Sequence, residues 1–152
     1  RQRQMCIRDR CYTTPTLPAP LTVTGDARVT LYVSSDAPDT DFMVRLCDVD
    51  EAGRSVKLAD GILAARFRNG FSAPEYLEPG KVEKLVIRTS KISHCFLPGH
   101  RLRVSVTSGA KHFVFPNSNT KDAYNSTESR VAHNTVWHGG AAPSHILLHV
   151  ER

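Results

Sequence analysis

Residues 21–50 constrain the fold more than any other part of the chain, because two alternating apolar stretches flank a loop rich in Asp and Pro. The apolar residues recur at every second position: Val29, Leu31 and Val33 in the first stretch, and Phe42, Val44 and Leu46 in the second. Side chains at alternate positions of a strand share one face, so this spacing predicts two strands that each bury one side only. The segment is typical of the first strands of a β-sandwich.

Short strands and turns continue along the rest of the chain. We predict a hairpin between the Phe42 strand and a strand around Val56, joined by a turn at residues 50–53. Further strands are predicted at residues 61–68, 82–89, 94–96, 102–106, 134–138 and 144–150. Residues 109–130 are polar and show no period, and a loop of that length indicates function or mobility. With no helical period and no repeat, the sequence predicts an all-β, jelly-roll β-sandwich of the galactose-binding-domain-like type.

Composition favours one folded domain over residues 11–152. The chain is 40% hydrophobic and 23% charged, and it has no apolar run of membrane-spanning length, so we expect no membrane partner. Its formal charge of +5 includes three units from residues 1–10, which leaves two for the domain. A net charge as small as +2 predicts no nucleic-acid partner for the domain.

Residues 1–10, RQRQMCIRDR, differ from the rest of the chain. They lack both the apolar centre of a signal peptide and the pattern of a folded element. Our hypothesis is that they are non-native, since MCIRDR resembles translated sequencing-adapter read-through. The alternative is a disordered basic tail.

The cysteines and acidic residues do not have the spacing of a metal site. Cys47 and Cys95 lie singly in predicted strands. A disulfide between them stays an open possibility, but free thiols are favoured. Free thiols indicate a reducing compartment, so the expected location is the cytoplasm. Asp36, Asp39 and Asp41 offer carboxylates for a calcium site, but their spacing fails the EF-hand pattern and short acidic turns usually cap strands. His133 and His138 lie five apart in a predicted strand, which places them on opposite faces. We therefore predict no metal and no cofactor.

No catalytic residue is nominated. The sequence has no GxSxG motif, and Ser72 in GFSAP lacks the second glycine and the strand-to-helix turn that expose a nucleophile. The seven histidines could be combined with serines and aspartates into many Ser-His-Asp sets. A catalytic triad is defined by the geometry of its side chains, however, and not by the presence of the residue types.

Several motifs, taken in order, resemble one family. They are YTTPTL at residues 12–17, VTGDARVTLYVSSDAPDTDFMVRLCDV at 23–49, LADGILAARFR at 58–68, FLPGHRLRVSVTS at 96–108 and PSHILLHV at 143–150. Together they resemble the C-terminal domain of the CocE/NonD serine hydrolases, which include the Xaa-Pro dipeptidyl-peptidases. The resemblance implies a non-catalytic jelly-roll that follows an α/β-hydrolase domain, which would be its partner. The parent would hydrolyse Xaa-Pro peptides, esters or amides, and any homo-oligomer would form through the parent.

Large rings outside the alternating core need apolar cover, so we predict that they contact the hydrolase domain and help to shape its substrate cleft. This predicted interface consists of Tyr12, Phe71, Tyr76, Phe113, Phe115 and Trp137. The alternative is a stand-alone carbohydrate-binding module. Its candidate residues are Trp137, Tyr124, Asn117, Asn119 and Arg130, although a Trp in a strand is more often core or interface than sugar platform.

Overall fold

The computed structural model describes residues 10–110 and 113–151. They form the strands β1 (Arg10–Thr13), β2 (Leu21–Ser35), β3 (Asp41–Val49), β4 (Ser55–Ala64), β5 (Glu83–Phe96), β6 (Arg101–Thr107), β7 (Asn134–Trp137) and β8 (His145–Leu147). Two 3-10 helices span Ala65–Phe67 and Ala123–Asn125. Within these ranges no helix is long and apolar enough to cross a membrane.

The strands form two antiparallel sheets. Sheet A has the order β1-β6-β3-β4, and sheet B has the order β5-β2-β7. β8 pairs with β2 at Arg28–Thr30, beside the stretch of β2 that pairs with β7. The hairpin between β3 and β4 is confirmed, and so is the all-β sandwich.

Residues from both sheets make one core between them. The alternating residues of β2 and β3 face inward as predicted, and each is 3% exposed or less. They pack with Leu85 and Ile87 of β5 and with Leu102, Val104 and Val106 of β6. At about 25 cal/mol per Å² of buried apolar surface, this contact is the main source of stability.

β3 is buried on both faces, so the prediction of one-sided burial is wrong for this strand. Met43 and Cys47 point away from the core and are only 1% and 5% exposed. β3 lies between two other strands, and the neighbouring side chains Arg45, Lys57 and Asp60 form ion pairs on that outer face. The long side chains of Arg45 and Lys57 can cover apolar surface with their stems while their charged ends reach water, and both pair with the mostly buried Asp60.

Two predicted strand boundaries are wrong for reasons that are visible in the hydrogen bonds. The strand predicted at residues 61–68 ends at Ala64, because the backbone N–H groups of Ala65 and Arg66 donate to Thr40 O and Asp39 Oδ1 and turn the chain into a 3-10 helix. The strands predicted at 82–89 and 94–96 are one strand, β5. A bulge at Ala27 keeps β5 paired with β2 along its whole length, with Ala27 N–H bonded to Thr89 Oγ1.

The chain ends also differ from the sequence analysis. β1 was not predicted, since four residues are too few to show an alternation; Arg10, assigned to the tail, is its first residue. The strand predicted at 144–150 shortens to β8 plus an isolated bridge between Val23 and Val150. The hypothesis that the tail is non-native falls on residues 1–9, which lie outside the described residues.

Candidate interaction surfaces

All six rings of the predicted interface lie outside the sandwich core. Their exposed fractions are 39% for Tyr12, 37% for Tyr76, 45% for Trp137, 57% for Phe113, 79% for Phe71 and 86% for Phe115. The interface assignment therefore stays a prediction. The rings do not form one patch, however, and the structure divides most of them between two surfaces.

The first is the loop surface, made by residues 65–80 and 113–133 where they meet at one end of the sandwich. Phe67 and Phe71 are in ring contact at 5.6 Å, and the Arg66 guanidinium lies over the rings of both Phe67 and Tyr124. The Tyr76 hydroxyl donates to Lys121 O, while the Lys121 ammonium lies over the Tyr76 ring. Aromatic rings paired with cations are frequent at protein interfaces.

A buried polar network holds the loop surface against sheet A. Asn117 Nδ2 donates to Asp39 Oδ2 at 2.9 Å and to Asp41 Oδ1 at 2.8 Å. The Tyr124 hydroxyl donates to Asp41 Oδ2 at 2.8 Å. Burial raises the pKa of Asp41, and burial together with the Asp41 carboxylate raises the pKa of Tyr124. The network fixes the 113–133 loop because Asn117 and Tyr124 of that loop both donate to buried carboxylates beside sheet A.

This network also accounts for the acidic residues whose carboxylates could have suggested a calcium site. Asp39 Oδ1 accepts the Arg66 N–H, and Asp36 Oδ1 accepts the His133 N–H, which is the capping role that the sequence favoured. Asp36 pairs with His133 and lies apart from the other two. Among the described residues no group of three His, Cys, Asp or Glu side chains is placed to hold a metal ion.

The second surface is the open flank, where β1 of sheet A faces β7 of sheet B. A cleft of about 370 Å³ lies there, lined by Arg10, Cys11, Tyr12, Asn134, Thr135, Val136 and His138. The Tyr12 and His138 rings meet edge to face, with centroids 6.0 Å apart. Asn134 Nδ2 donates to Thr40 Oγ1 and Ser108 Oγ, but its Oδ1 is buried without a hydrogen-bond partner among the described residues.

The opposite flank, between β4 and β5, is closed. A Cβ added to Gly61 would lie 2.4 Å from Arg88 O and 3.0 Å from Ile87 Cγ2, so only glycine lets the two strands approach this closely. Among residues 10–110 and 113–151, the sandwich is therefore closed along one side and open along the other.

The residues considered for sugar binding make hydrogen bonds within the protein. Trp137 Nε1 donates to Ser34 Oγ, whereas Asn117 and Tyr124 are bonded to the carboxylates beneath the loop surface. Asn119 Nδ2 donates to Arg130 O, and the Arg130 guanidinium donates to Asp36 O. These bonds use some of the polar groups that a sugar would need, and the carbohydrate-binding alternative stays a prediction.

One statement about histidines is wrong. His133 and His138 flank β7 instead of lying within it, so the argument from opposite strand faces does not apply. Sequence reasoning also missed Asp48, whose carboxylate oxygens lie 2.8 Å from His94 Nε2 and from His100 Nδ1. The signal was available, because Asp48 occupies the inward-facing position that follows Leu46 in the alternation. Between the described side chains, neither imidazole has a hydrogen bond to a serine hydroxyl.

The remaining chemically reactive side chains are separate. Cys47 is buried and Cys95 is exposed, and both are free thiols, as favoured. Ser72 lies in an exposed bend of the loop after β4.

The same architecture is found in known proteins. A family model of the X-Pro dipeptidyl-peptidase C-terminal non-catalytic domain matches residues 8–147. The cocaine esterase of Rhodococcus sp. (strain MB1 Bresler) is 39% identical over 152 residues, which cover 95% of this chain and 26% of that protein.

Two solved structures share the fold. An aminopeptidase from a marine sediment Thaumarchaeota archaeon superposes with a TM-score of 0.91 at 28% identity, over 99% of this chain and 27% of that one. An α-amino acid ester hydrolase gives a TM-score of 0.89 at 26% identity, over 95% of this chain and 26% of that one. The chain spans about a quarter of the length of these relatives. The resemblance found in the sequence is confirmed, and the chain belongs to the family of X-Pro dipeptidyl-peptidase C-terminal non-catalytic domains that occur in hydrolases of the CocE/NonD type.

Proposed function

We propose that this domain packs on the α/β-hydrolase domain of a parent serine hydrolase and helps to shape its substrate cleft. The observation that carries the proposal is the loop surface, in which exposed rings stand on loops fixed by buried hydrogen bonds. Apolar surface that is both exposed and held rigid is characteristic of an interface, because docking then orders few additional side chains. In this proposal the domain contributes part of the walls of the substrate cleft and stabilises the protein, and the α/β-hydrolase domain contributes the reacting groups.

The parent activity that we propose is hydrolysis of an ester, an amide or an Xaa-Pro peptide bond. The names of the relatives support this class, since they describe an esterase, an aminopeptidase and an amino acid ester hydrolase. All three reactions transfer an acyl group to water, for which a serine nucleophile forms an acyl-enzyme intermediate. Selectivity among these substrates belongs to the pocket of the parent.

The test replaces the matching quarter of the Rhodococcus cocaine esterase with this chain. We expect the fusion to hydrolyse esters and to melt at a higher temperature than the same esterase lacking that quarter, because docking adds buried area. The 152-residue chain alone should hydrolyse neither short-chain esters nor Xaa-Pro chromogenic peptides. Turnover by the chain alone, or a fusion no better than the truncated esterase, contradicts the proposal.

A further inference from the structure

Asn69 and Gly70 form the only Asn-Gly pair in the sequence, and both residues are exposed in a turn. The turn follows the 3-10 helix Ala65–Phe67 and precedes Phe71 of the loop surface. No described atom lies within 4 Å of a Cβ added to Gly70, so the space beside the Gly70 backbone is open. The Asn69 amide and the peptide bond after it are therefore accessible to water.

An asparagine that precedes glycine can react with its own backbone, and asparagine is among the thermolabile residue types. The Gly70 nitrogen attacks Asn69 Cγ, the Gly70 N–H proton passes through solvent to Nδ2, and Nδ2 leaves as ammonia. Water then opens the resulting succinimide ring at either carbonyl and gives aspartate or isoaspartate, so the reaction needs no oxidant and no cofactor. Glycine favours ring closure because it has no Cβ beside the attacking nitrogen and its backbone turns freely.

Two hydrogen bonds hold the reacting groups in place in the folded chain. Gly70 N–H donates to Phe67 O at 3.1 Å, and Asn69 Nδ2 donates to the Glu75 carboxylate at 2.6 Å. Glu75 is itself fixed, since its N–H donates to Arg66 O. Hydrogen bonds of an exposed turn open at a small cost in free energy, because few buried contacts are lost with them. The frequency of this opening therefore sets the rate of ring closure.

We propose that Asn69 is a site of spontaneous deamidation, and that its hydrogen bond to Glu75 restrains the reaction. In the product a carboxylate at position 69 faces the Glu75 carboxylate, so the bond between the two side chains is replaced by repulsion. The isoaspartate product also lengthens the backbone directly before Phe71, whose ring contacts Phe67. The reaction thus alters the loop surface, and it does so in the chain alone, independently of the proposed function.

Asn125 is the matched control within the chain. It is also exposed and ends a 3-10 helix, Ala123–Asn125, but it precedes Ser126 instead of glycine. Glu75→Ala removes the acceptor of the Asn69 amide, whereas Glu75→Gln keeps an acceptor oxygen in the side chain. The 152-residue chain and the two variants are incubated at mildly alkaline pH. Mass spectrometry follows each asparagine peptide, enzymatic methylation detects isoaspartate, and circular dichroism verifies that the three proteins are folded.

We expect the Asn69 peptide to gain the mass difference between NH and O about tenfold faster than the Asn125 peptide. Glu75→Ala should raise the rate at Asn69 about threefold, and Glu75→Gln should leave it within about twofold of the unchanged chain. In urea, where the turn is unfolded, the three proteins should react alike at Asn69. A rate at Asn69 no higher than at Asn125 would overturn the deamidation site. Equal rates in Glu75→Ala and the unchanged chain, or a difference that persists in urea, would overturn the restraint by the folded turn.

Discussion

Asp39, Asp41 and Asp48 are buried in or beside β3, and each is bonded by side chains that lie far away in the sequence. Asn117 and Tyr124 are more than seventy positions from Asp41, with separations of 76 and 83. No local pattern encodes such a contact, because nothing in a loop of Asn, Ser and Thr identifies the residue that turns inward. The sequence did predict that the acidic turn residues accept backbone hydrogen bonds, but the donors, Arg66 N–H and His133 N–H, also lie far away in the chain.

Tyr124→Phe tests the network. The change removes the hydroxyl that donates to the buried Asp41 carboxylate, and we expect the free energy of unfolding to fall by about 1–2 kcal/mol in urea denaturation. Tyr76→Phe is the control, since its hydroxyl donates to an exposed backbone carbonyl and its loss should cost less than about 0.5 kcal/mol. Equal effects would show that the network does not fix the loop.

Asp41→Asn tests how the stability of the fold depends on pH. Burial raises the pKa of Asp41, so the folded protein holds this proton at a pH at which the unfolded chain has released it. The resulting stabilisation is present below the ordinary Asp pKa and is lost as pH rises through the raised value. The free energy of unfolding of the unchanged protein minus that of the variant should therefore decrease from about pH 4 upward. Carboxyls that do not interact with Asp41 act equally in both proteins and cancel, whereas Asp39, which shares the Asn117 donor, does not. A flat or rising difference would contradict the raised pKa.

Among the strands, length and pairing decided which ones the sequence could predict. β2, β3 and β6 show full alternation and were found, because one face of each contacts the core. β1 is four residues long, and the polar middle of β5 hides its continuity, which only the bulge opposite it in β2 maintains. Such features depend on the partner strand.

The contact between β4 and β5 is tested by Gly61→Ala. The added methyl would overlap Arg88 O and separate the strands, so we expect a loss of about 2–3 kcal/mol in the free energy of unfolding. Gly109→Ala is matched to it, since no described atom lies within 4 Å of its added Cβ and the change should stay below about 1 kcal/mol. Comparable losses at both sites would mean that the flank is not tightly closed.

For the whole molecule, the six rings were predicted to lie outside the core and do so, but their division into two surfaces was not foreseen. Exposure follows from the alternation, because a ring outside the inward-facing positions has no place between the sheets. The grouping depends on how two long loops fold back, and on the pairing that places β1 opposite β7. Neither the folding of the loops nor the position of β1 can be predicted from the local sequence.

Replacing Phe71 and Phe115 together by Ser should leave the domain folded, since both rings are mostly exposed. We expect the free energy of unfolding to change by less than about 1 kcal/mol, and self-association and dye binding to decrease because apolar surface is removed. Phe42→Ser, at a core position, should cost about 3–5 kcal/mol. A loss of that size in the double variant would place the two rings in the core. Sedimentation and thermal denaturation measure both effects.

The Cys47 thiol lies under the ion-paired side chains of sheet A, and burial raises its pKa. A thiol reacts with alkylating agents as the thiolate, so this one is inert while the sheet is intact and reacts when β3 separates from its neighbours. Its rate of alkylation therefore records how often the sheet opens. The protein thus carries its own probe of local unfolding, which needs no introduced cysteine and is followed by measuring alkylation of the Cys47 peptide separately from the exposed Cys11 and Cys95.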